Sequence, residues 1–323
     1  MLEFINSGVS GYVYEGRFKN SKKSIALKFF GRNLNKEKKM ENIKKEKEKF
    51  ENQNIAIIKK LHKNNIVEIY ANFKNDKINF SILELAKYGD IKSFNEKILK
   101  RKTFSETALN YFARQILEAL HYSHKSKIVH FDVKPGHILI DSNLQVKLTG
   151  FSVSYSYSEY DPEKLVKFPF VGTGKYMSPE MIERAYIKVK EVEKMDIYSF
   201  GVSLYYLFYG EYPYGLNNLK NDDYESILKK IKEEKLEFPE REGISEMFKN
   251  FLEKLLEKDY NKRLNIKQAL GHPWMKGSQI IFDEKEIIDN LECFLNKLVN
   301  DFIPNFNEYI GIKCDNFSCK KCL

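Results

Sequence analysis

A glycine turn, a lysine and a later aspartate are spaced along this chain in an order suited to phosphate chemistry. Gly8 and Gly11 lie in NSGVSGYV, between two predicted strands. Glycine has no Cβ atom, so the backbone of such a turn can approach phosphate groups closely. Lys28, in IALK on a third predicted strand, would add a positive charge beside them. One glycine turn is weak evidence by itself.

Five further segments follow the lysine in a fixed order, which a chance arrangement would not produce. They are HFDVKPGH at 130–137, LTGFS at 148–152, GTGKYMSPE at 172–180, DIYSFG at 196–201, and NKR ending at Arg263. With the glycine turn, these segments resemble the motifs of the eukaryotic protein kinases over about residues 1 to 276. Lys134 together with Thr173 resembles the Ser/Thr branch rather than the tyrosine branch.

This resemblance implies an α+β, two-lobed protein-kinase-like fold with ATP in the cleft between the lobes. A small antiparallel β-sheet lobe with one helix would span residues 1–86, and a larger, mainly α-helical lobe would span residues 87–276. The hinge would lie near Glu84 to Tyr88, and a peptide-binding groove would lie on the larger lobe. Residues 277–323 would form a C-terminal helical extension with a cysteine-containing tail.

Residue patterning agrees with this division. Alternating apolar residues and turn signals predict five strands in the first 86 residues: EFINSG, YVYEGRF, SIALKFF, IVEIYANF and INFSILEL. The Lys- and Glu-rich stretch that begins at residue 36 predicts one helix before the fourth strand. Helical periodicity dominates from Gly89 onward, over residues 105–123, 196–209, 224–233 and 247–257, and it also predicts an amphipathic helix over 284–302.

The resemblance assigns catalytic roles to residues that this chain retains. Lys28 would pair the α and β phosphates, Asp132 would accept the proton of a substrate hydroxyl, and Lys134 would steady the γ-phosphate. Asp132 also has a purely structural alternative, in which it holds its loop by bonding backbone amides or Thr173. The catalytic candidates are therefore Asp132 and Lys134.

A second set of positions would bind the nucleotide or hold the fold. The nucleotide-binding candidates are Asn6, Gly8, Gly11, Val13, Ala26, Lys28, Leu83, Glu84, Ala86 and Leu139. Several of them are apolar, which predicts an intact adenine slot, because adenine binding depends on apolar burial and hinge backbone groups rather than on a metal ion. The structural candidates are Glu180 and Arg263, which would form an ion pair, and Asp196.

Both positions that should bind magnesium are replaced. By resemblance these are the aspartate of the D-F-G motif and the asparagine five residues after the catalytic aspartate, and here they are Gly150 and His137. Glycine offers no side-chain ligand, and imidazole is a poor ligand for an ion that prefers oxygen. We therefore expect no dedicated metal, and ATP binding that is independent of Mg²⁺. His137 itself is either a buried histidine or an improvised metal ligand.

Smaller departures concern regulation and the helix of the first lobe. Phe131 replaces the arginine of H-R-D, so a phosphate on Ser154, Tyr155 or Ser156 would lack an arginine partner. The segment VSYSYSEYDPEK is expected to be a mobile surface loop. The helix position that should pair with Lys28 holds Asn54, although Glu51 lies one turn earlier.

Composition limits the partners of the chain. Its 323 residues carry a net charge of +9, and 47 of the 54 basic residues are Lys. Readers of nucleic acid favour Arg, so we expect no nucleic acid partner and instead a protein partner or protein substrate. No apolar run approaches the roughly twenty residues of a membrane helix, and an intracellular, cytoplasmic location is expected. The oligomeric state stays open.

All four cysteines lie near the end of the chain. Cys293, Cys314, Cys319 and Cys322 fall in the last 31 residues, which favours a reducing compartment for a chain with no other thiol. The spacing C-x4-C-x2-C allows zinc binding, but no paired knuckles repeat, and free thiols on a tail are favoured.

Three hypotheses follow. The first is a catalytically impaired pseudokinase that binds ATP without metal and acts as a scaffold or allosteric regulator. The second is an active Ser/Thr protein kinase with atypical metal use. The third is a scaffold with an empty cleft, which the apolar adenine slot disfavours.

Overall fold

The computed structural model describes residues 3–8, 11–17, 24–30, 61, 65–74, 79–98 and 103–276. A five-stranded antiparallel sheet precedes a mainly helical part, which confirms the predicted α+β fold. The helix predicted before the fourth strand lies outside the described residues, as do Glu51, Asn54, the C-terminal extension and its four cysteines. None of the described helices is long and apolar enough to cross a membrane.

The sheet contains all five predicted strands. They are β1 Glu3–Gly8, β2 Gly11–Arg17, β3 Ser24–Phe29, β4 Ile69–Lys74 and β5 Asn79–Glu84. Their spatial order is β1-β2-β3-β5-β4, with every pair antiparallel. Gly8 is paired with Gly11, so the glycine turn closes the hairpin between the first two strands. Lys28 lies on the central strand of the sheet, between Val13 and Ser81.

The helical part carries most of the buried apolar residues. Its helices are α1 Ile91–Ser93, α2 Glu106–Lys125, α3 Pro179–Ile182, α4 Glu193–Tyr209, α5 Tyr224–Glu233, α6 Glu246–Leu255, α7 Ile266–Leu270 and α8 Pro273–Lys276. A π-helical segment, Phe94–Ile98, continues α1. Ser105 caps α2 by accepting a hydrogen bond from the backbone N–H of Ala108. All four helices predicted in this part overlap observed helices.

Short strand pairs surround the loops of the helical part. They are β6 Ile128–Val129 with β9 Tyr155–Ser156, β7 Ile138–Ile140 with β8 Val146–Leu148, and β10 Leu165–Lys167 with β11 Tyr186–Lys188.

The prediction of a mobile surface loop at residues 153–164 is wrong at the start of that segment. Ser154 is buried and its hydroxyl donates to the carbonyl oxygen of Phe151, while Tyr157 is also buried. Strand pairing and burial fix this segment, which its polar sequence did not indicate.

Backbone hydrogen bonds join the sheet to the helical part. The N–H of Val67 donates to Leu148, and the N–H of Leu148 donates to Asn65. The connecting segment after β5 is held by a bond from the N–H of Tyr88 to the carbonyl oxygen of Ile140. These contacts join the segments before β4 and after β5 to β7 and β8.

Candidate functional site

Asp132, Lys134 and Thr173 form a closed triangle of hydrogen bonds. The ammonium of Lys134 lies 2.8 Å from Oδ2 of Asp132 and 2.6 Å from the hydroxyl of Thr173. The Thr173 hydroxyl donates to Oδ1 of Asp132 at 2.7 Å. The two catalytic candidates are thus brought together, and both carboxylate oxygens of Asp132 already accept hydrogen bonds. This geometry is compatible with a proton acceptor and also with the structural alternative.

Asp196 holds the loop that carries this triangle. Its Oδ2 accepts the backbone N–H of His130 and the Nε2–H of His124, and its Oδ1 accepts the backbone N–H of Phe131, all at 2.8 Å. Asp196 is completely buried. A buried carboxylate needs such donors, since an unpaired buried charge is strongly destabilising. The contacts therefore give Asp196 a structural role, and they fix the backbone of the two residues that precede Asp132.

His130 links the loop to the segment after β8. Its Nδ1 accepts the backbone N–H of Asp132 at 3.1 Å, so its Nε2 carries the proton and donates to the carbonyl oxygen of Thr149 at 2.8 Å. Burial lowers the pKa of His130. Its ring packs on Phe151 with a centroid distance of 4.6 Å.

The imidazole of His137 occupies the space beside Gly150. Its Nδ1 donates to the carbonyl oxygen of Asp132 at 2.8 Å and lies 3.4 Å from Oδ2 of the same residue. A Cβ atom built on Gly150 would lie 2.3 Å from that Nδ1 and 2.4 Å from Cγ of the ring. Gly150 also has a φ of +90°, a conformation that L side chains rarely adopt. The two replaced residues therefore depend on each other sterically.

The magnesium ions that the protein kinase fold implies do not fit these residues. Mg²⁺ needs near-octahedral oxygen ligands at about 2.0–2.1 Å. Gly150 supplies no side-chain oxygen, and the space of such a side chain is filled by the ring of His137. Burial also lowers the pKa of His137 to about 4, against the opposing effect of Asp132, so its ring is neutral at pH 7.

Lys28 and Lys134 place two cations in the cleft. Lys28 projects from β3, and its pKa is lowered first by burial and then by the positive charge of Lys134. Two ammonium groups close enough to repel each other form a site that favours an anion. Asp132, the one carboxylate among the predicted catalytic residues, lies 2.8 Å from the ammonium of Lys134 and offsets part of this charge.

The predicted adenine slot draws on two paired strands, β3 and β5, on β7 of a separate strand pair, and on the predicted hinge. Ala26 is paired with Leu83 across β3 and β5 and is buried, and Ala86 in the predicted hinge is also buried. Leu139 lies on β7 and bridges to Asp90 after the predicted hinge. Apolar residues of this kind are typical of the lining of small-molecule sites.

Other nucleotide-binding candidates lie on the same sheet. Val13 is paired with Asn6 on β1 and with Lys28 on β3. The side chain of Glu84 already has partners within the protein. Its carboxylate contacts Lys147 at 2.7 Å and accepts the backbone N–H of Glu68 at 3.2 Å. Its side chain therefore ties the hinge to β8, and a contact with a base would come from its main chain.

Sequence reasoning missed the packing around Phe131. Phe131 has a φ of +65° and is buried, and its ring contacts Phe168 at 5.9 Å and Tyr155 at 6.5 Å between centroids. Tyr155 and Phe168 also meet edge to face at 5.6 Å. The rings of Phe131, Tyr155 and Phe168 thus form an aromatic cluster that holds the segment after Phe151. Phe131 occupies the position where the resemblance implies an arginine. The aromatic residues of that segment were the available signal.

Glu180 and Arg263 form a buried bidentate ion pair, as the resemblance implied. Nη1 and Nη2 of Arg263 lie 2.7 and 3.0 Å from the two carboxylate oxygens of Glu180. The guanidinium also donates to the carbonyl oxygens of Glu257 and Lys194. This pair fixes the segment around α3 to the loop before α7.

Comparison with known proteins gives consistent similarities. A sequence profile described as the protein kinase domain matches residues 1–275. The chain is 31% identical over 281 residues to myosin light chain kinase A of Dictyostelium discoideum, covering 85% of this chain and 87% of that protein. It is 28% identical over 321 residues to serine/threonine-protein kinase TIO of Arabidopsis thaliana, covering 98% of this chain but 22% of that protein. It is 32% identical over 285 residues to serine/threonine-protein kinase 36 of Pongo abelii, covering 88% of this chain and 20% of that protein.

Proposed function

Since this chain belongs to the protein kinase family, we propose that it is a catalytically impaired member with Ser/Thr kinase relatives, which binds nucleotide without a metal ion and acts through protein contacts. The observation that carries this proposal is the ring of His137 in the space beside Gly150. Phosphoryl transfer in this family depends on metal ions that bridge the β and γ phosphates. Losing their ligands removes several kcal/mol of transition-state stabilisation, and each 1.4 kcal/mol lowers the rate about tenfold.

Nucleotide binding is retained in this proposal because it rests on other residues. The adenine would lie against Ala26, Leu83 and Leu139, and the phosphates would lie between Lys28 and Lys134. Two lysines give a triphosphate direct charge neutralisation, so removing divalent ions should not abolish binding.

The test is the thermal stabilisation of the full chain by ATP, with Mg²⁺ and with EDTA. We expect an increase in Tm in both buffers, because a ligand that binds only the folded state raises stability. Lys28→Ala should weaken ATP binding about tenfold or more, since a hydrogen bond to a charged group contributes about 1.5–3 kcal/mol. Lys235→Ala is a control, because Lys235 is exposed in the segment after α5 and belongs to none of the candidate sets. No shift in either buffer, or a shift only with Mg²⁺, would refute metal-independent binding.

An active Ser/Thr kinase is the second candidate, and the assembled triangle of Asp132, Lys134 and Thr173 favours it. In this candidate the carboxylate of Asp132 accepts the proton of a substrate hydroxyl. The discriminating measurement is transfer of the γ-phosphate to a generic protein substrate and to the chain itself, in Mg²⁺, Mn²⁺ or EDTA. Robust turnover that Asp132→Asn abolishes would establish the second candidate and overturn the first.

A double variant tests whether the residues at positions 137 and 150, rather than the rest of the fold, limit phosphate transfer. Gly150→Asp combined with His137→Asn supplies both missing oxygen ligands and removes the ring that blocks position 150. If impairment lies in these two residues, the double variant should transfer phosphate faster than the parent in Mg²⁺ buffer. Gly150→Asp alone should not, because the ring of His137 still fills the required space.

A further inference from the structure

Aromatic side chains form a continuous row across the five-stranded sheet, with one ring from every strand. In the spatial order of the strands, the row consists of Phe4, Tyr14, Phe29, Phe80 and Phe73. The centres of neighbouring rings lie 5.6, 5.7, 5.3 and 4.8 Å apart, so each ring contacts the next. We call these five residues the aromatic row, and the face of the sheet that carries them the outer face.

The outer face is the one opposite to the nucleotide-binding candidates. Phe29 is paired with Phe80, and Phe80 with Phe73, so these rings lie on one face. Lys28, which precedes Phe29 on β3, is paired with Val13. Because successive residues of a strand point to opposite faces, Lys28 and Val13 lie on the other one. An occupant of the aromatic row therefore does not compete with a nucleotide.

Much of the outer face is exposed to solvent. Phe4 is 55% exposed and Phe73 is 48% exposed, at the two ends of the aromatic row. Tyr12, which lies on the same face two residues before Tyr14, is 54% exposed. In the part of the chain that the structure describes, three of the seven exposed large apolar side chains thus share this face. Contiguous exposed apolar surface of this kind marks an interaction site, because covering it is favourable.

The chain itself supplies a segment with a matching apolar stripe. The sequence of residues 284–302 predicts an amphipathic helix, whose apolar positions are Ile287, Ile288, Leu291, Phe294, Leu295 and Leu298. At 1.5 Å per residue this stripe would be about 16 Å long. The aromatic row crosses five strands that lie about 4.8 Å apart, so it is about 19 Å long. The two apolar surfaces therefore agree in length.

The last described helix lies close to the segment that enters the sheet. The carbonyl oxygen of Met275, in α8, accepts a hydrogen bond from the guanidinium of Arg114 on α2. The next residue of α2, Gln115, accepts a hydrogen bond of 3.2 Å from the side chain of Asn65, four residues before β4. Adjacent residues of one helix thus connect the end of α8 with the start of β4.

The chain after α8 is long enough to reach the outer face. From Asn65 to Phe73 the chain advances by eight residues, or about 26 Å. The seven residues 277–283 can extend over about 23–25 Å, and a helix over 284–302 would add about 28 Å. The predicted helix can therefore lie along the aromatic row.

Charge favours this segment over a second copy of the chain. Residues 284–302 contain five Asp or Glu and two Lys, a net charge of −3, so the rest of the chain carries +12. The segment is therefore attracted to the protein that it follows. Two whole copies would each bring a net charge of +9, which opposes their association.

We propose that the outer face of the sheet, centred on the aromatic row, is the docking surface for the amphipathic segment 284–302 of the same chain. The apolar stripe of the segment covers the exposed rings, and its polar side faces solvent. Because the segment follows α8 in the helical part and docks on the sheet, it joins the two parts of the fold by a second connection. This contact goes beyond the proposed function, since it is independent of nucleotide binding and phosphate transfer.

The test is photo-crosslinking of the full chain with p-benzoylphenylalanine in place of Phe73, followed by mass spectrometry. We expect a crosslink to a peptide within residues 284–302, in a product with the mass of one chain. The same amino acid in place of Tyr186, which is 65% exposed on β11, is the control and should not crosslink to this segment. A crosslink from position 73 to other residues of the chain, a product of two chains, or no crosslink would overturn the proposal.

Hydrogen exchange within residues 284–302 of the full chain gives a second measurement. Leu291→Asp puts a charge into the apolar stripe and should increase the exchange rate at least about tenfold. Asn296→Asp is the matched control, because it adds a charge on the opposite side of the predicted helix and should change the rate by less than about twofold.

Phe73→Asp should reproduce the effect of Leu291→Asp from the other side of the contact. Unchanged exchange in α4 of this variant would show that the fold is retained. Equal exchange rates of residues 284–302 in the parent and in Phe73→Asp would overturn the docking surface, as would equal effects of Leu291→Asp and Asn296→Asp.

Discussion

The imidazole of His137 lies where a side chain on Gly150 would have to lie. A Cβ atom at position 150 would approach Nδ1 of His137 to 2.3 Å, closer than real Cβ contacts allow. Each residue thus accommodates the other, since glycine leaves the space and the ring fills it. The two departures from the family pattern act as one structural unit, and reverting either alone does not restore the ancestral geometry.

This relationship predicts a strong coupling between the two positions. Gly150→Ala should destabilise the parent chain by about 2–5 kcal/mol, because overpacking costs about 1–3 kcal/mol and a left-handed alanine about 1–2 kcal/mol. In a His137→Ala background only the backbone part, about 1–2 kcal/mol, should remain. Urea unfolding of the four proteins measures the coupling by a double-mutant cycle. An equal cost of Gly150→Ala in both backgrounds would contradict the steric relationship.

The lowered pKa of His137 predicts a pH dependence of stability. Burial lowers this pKa from 6.5 to about 4, so between these pH values the unfolded chain binds a proton at this residue and the folded chain does not. The contribution of His137 to the free energy of unfolding is therefore fully present above pH 6.5. It decreases as the pH falls towards 4, by on the order of 3 kcal/mol. Burial lowers the pKa of His130 as well, which adds in the same direction.

Urea unfolding of the parent and of His137→Asn between pH 7.5 and 4.5 checks this sign. The variant should lose less stability on acidification, because it has no imidazole to protonate in the unfolded state. Parallel pH profiles of the two proteins would show that His137 does not contribute to the loss.

The sequence was sufficient for the fold and for the residue types of the site, but not for their packing. Five strands and four helices followed from apolar periodicity, whereas Gly150 and His137 were assigned to the metal positions by resemblance and expected to be poor metal ligands from their chemistry. The contact between them depends on a φ of +90° and on the approach of two loops, which periodicity does not encode. The same holds for Ser154, which lies just before β9 with its hydroxyl bonded to the carbonyl oxygen of Phe151, and whose burial its own polarity does not indicate.

The aromatic cluster predicts that the segment after Phe151 is held without phosphate. Phe168→Ala should destabilise the chain by about 3–5 kcal/mol, the range for removing a buried phenylalanine ring, and should increase proteolysis within residues 153–168. Met247→Ala is the control, because Met247 on α6 is 52% exposed and should change stability by less than about 0.5 kcal/mol. Phosphatase treatment should leave the proteolysis pattern unchanged. A phosphatase-dependent pattern would instead assign the ordering to a modified residue.

The ion pair between Arg263 and Glu180 predicts unequal effects of single and double substitutions. Arg263→Ala leaves the buried Glu180 carboxylate without its bidentate partner and should cost about 3–5 kcal/mol. Arg263→Lys should be only partly tolerated, because an ammonium cannot reproduce the planar pair of hydrogen bonds. Lys262→Ala is the neighbouring control, since the Lys262 side chain is 76% exposed.

Replacing both partners by apolar residues separates the charge from the packing. Arg263→Met with Glu180→Leu removes the buried charges together, so it should destabilise the chain less than Arg263→Ala alone, as measured by urea unfolding. The double variant still loses the bonds from Arg263 to the carbonyl oxygens of Glu257 and Lys194, which should leave a residual cost of about 1–3 kcal/mol for unsatisfied acceptors. A double variant as unstable as Arg263→Ala would mean that these backbone contacts, rather than the pairing of charges, dominate the role of Arg263.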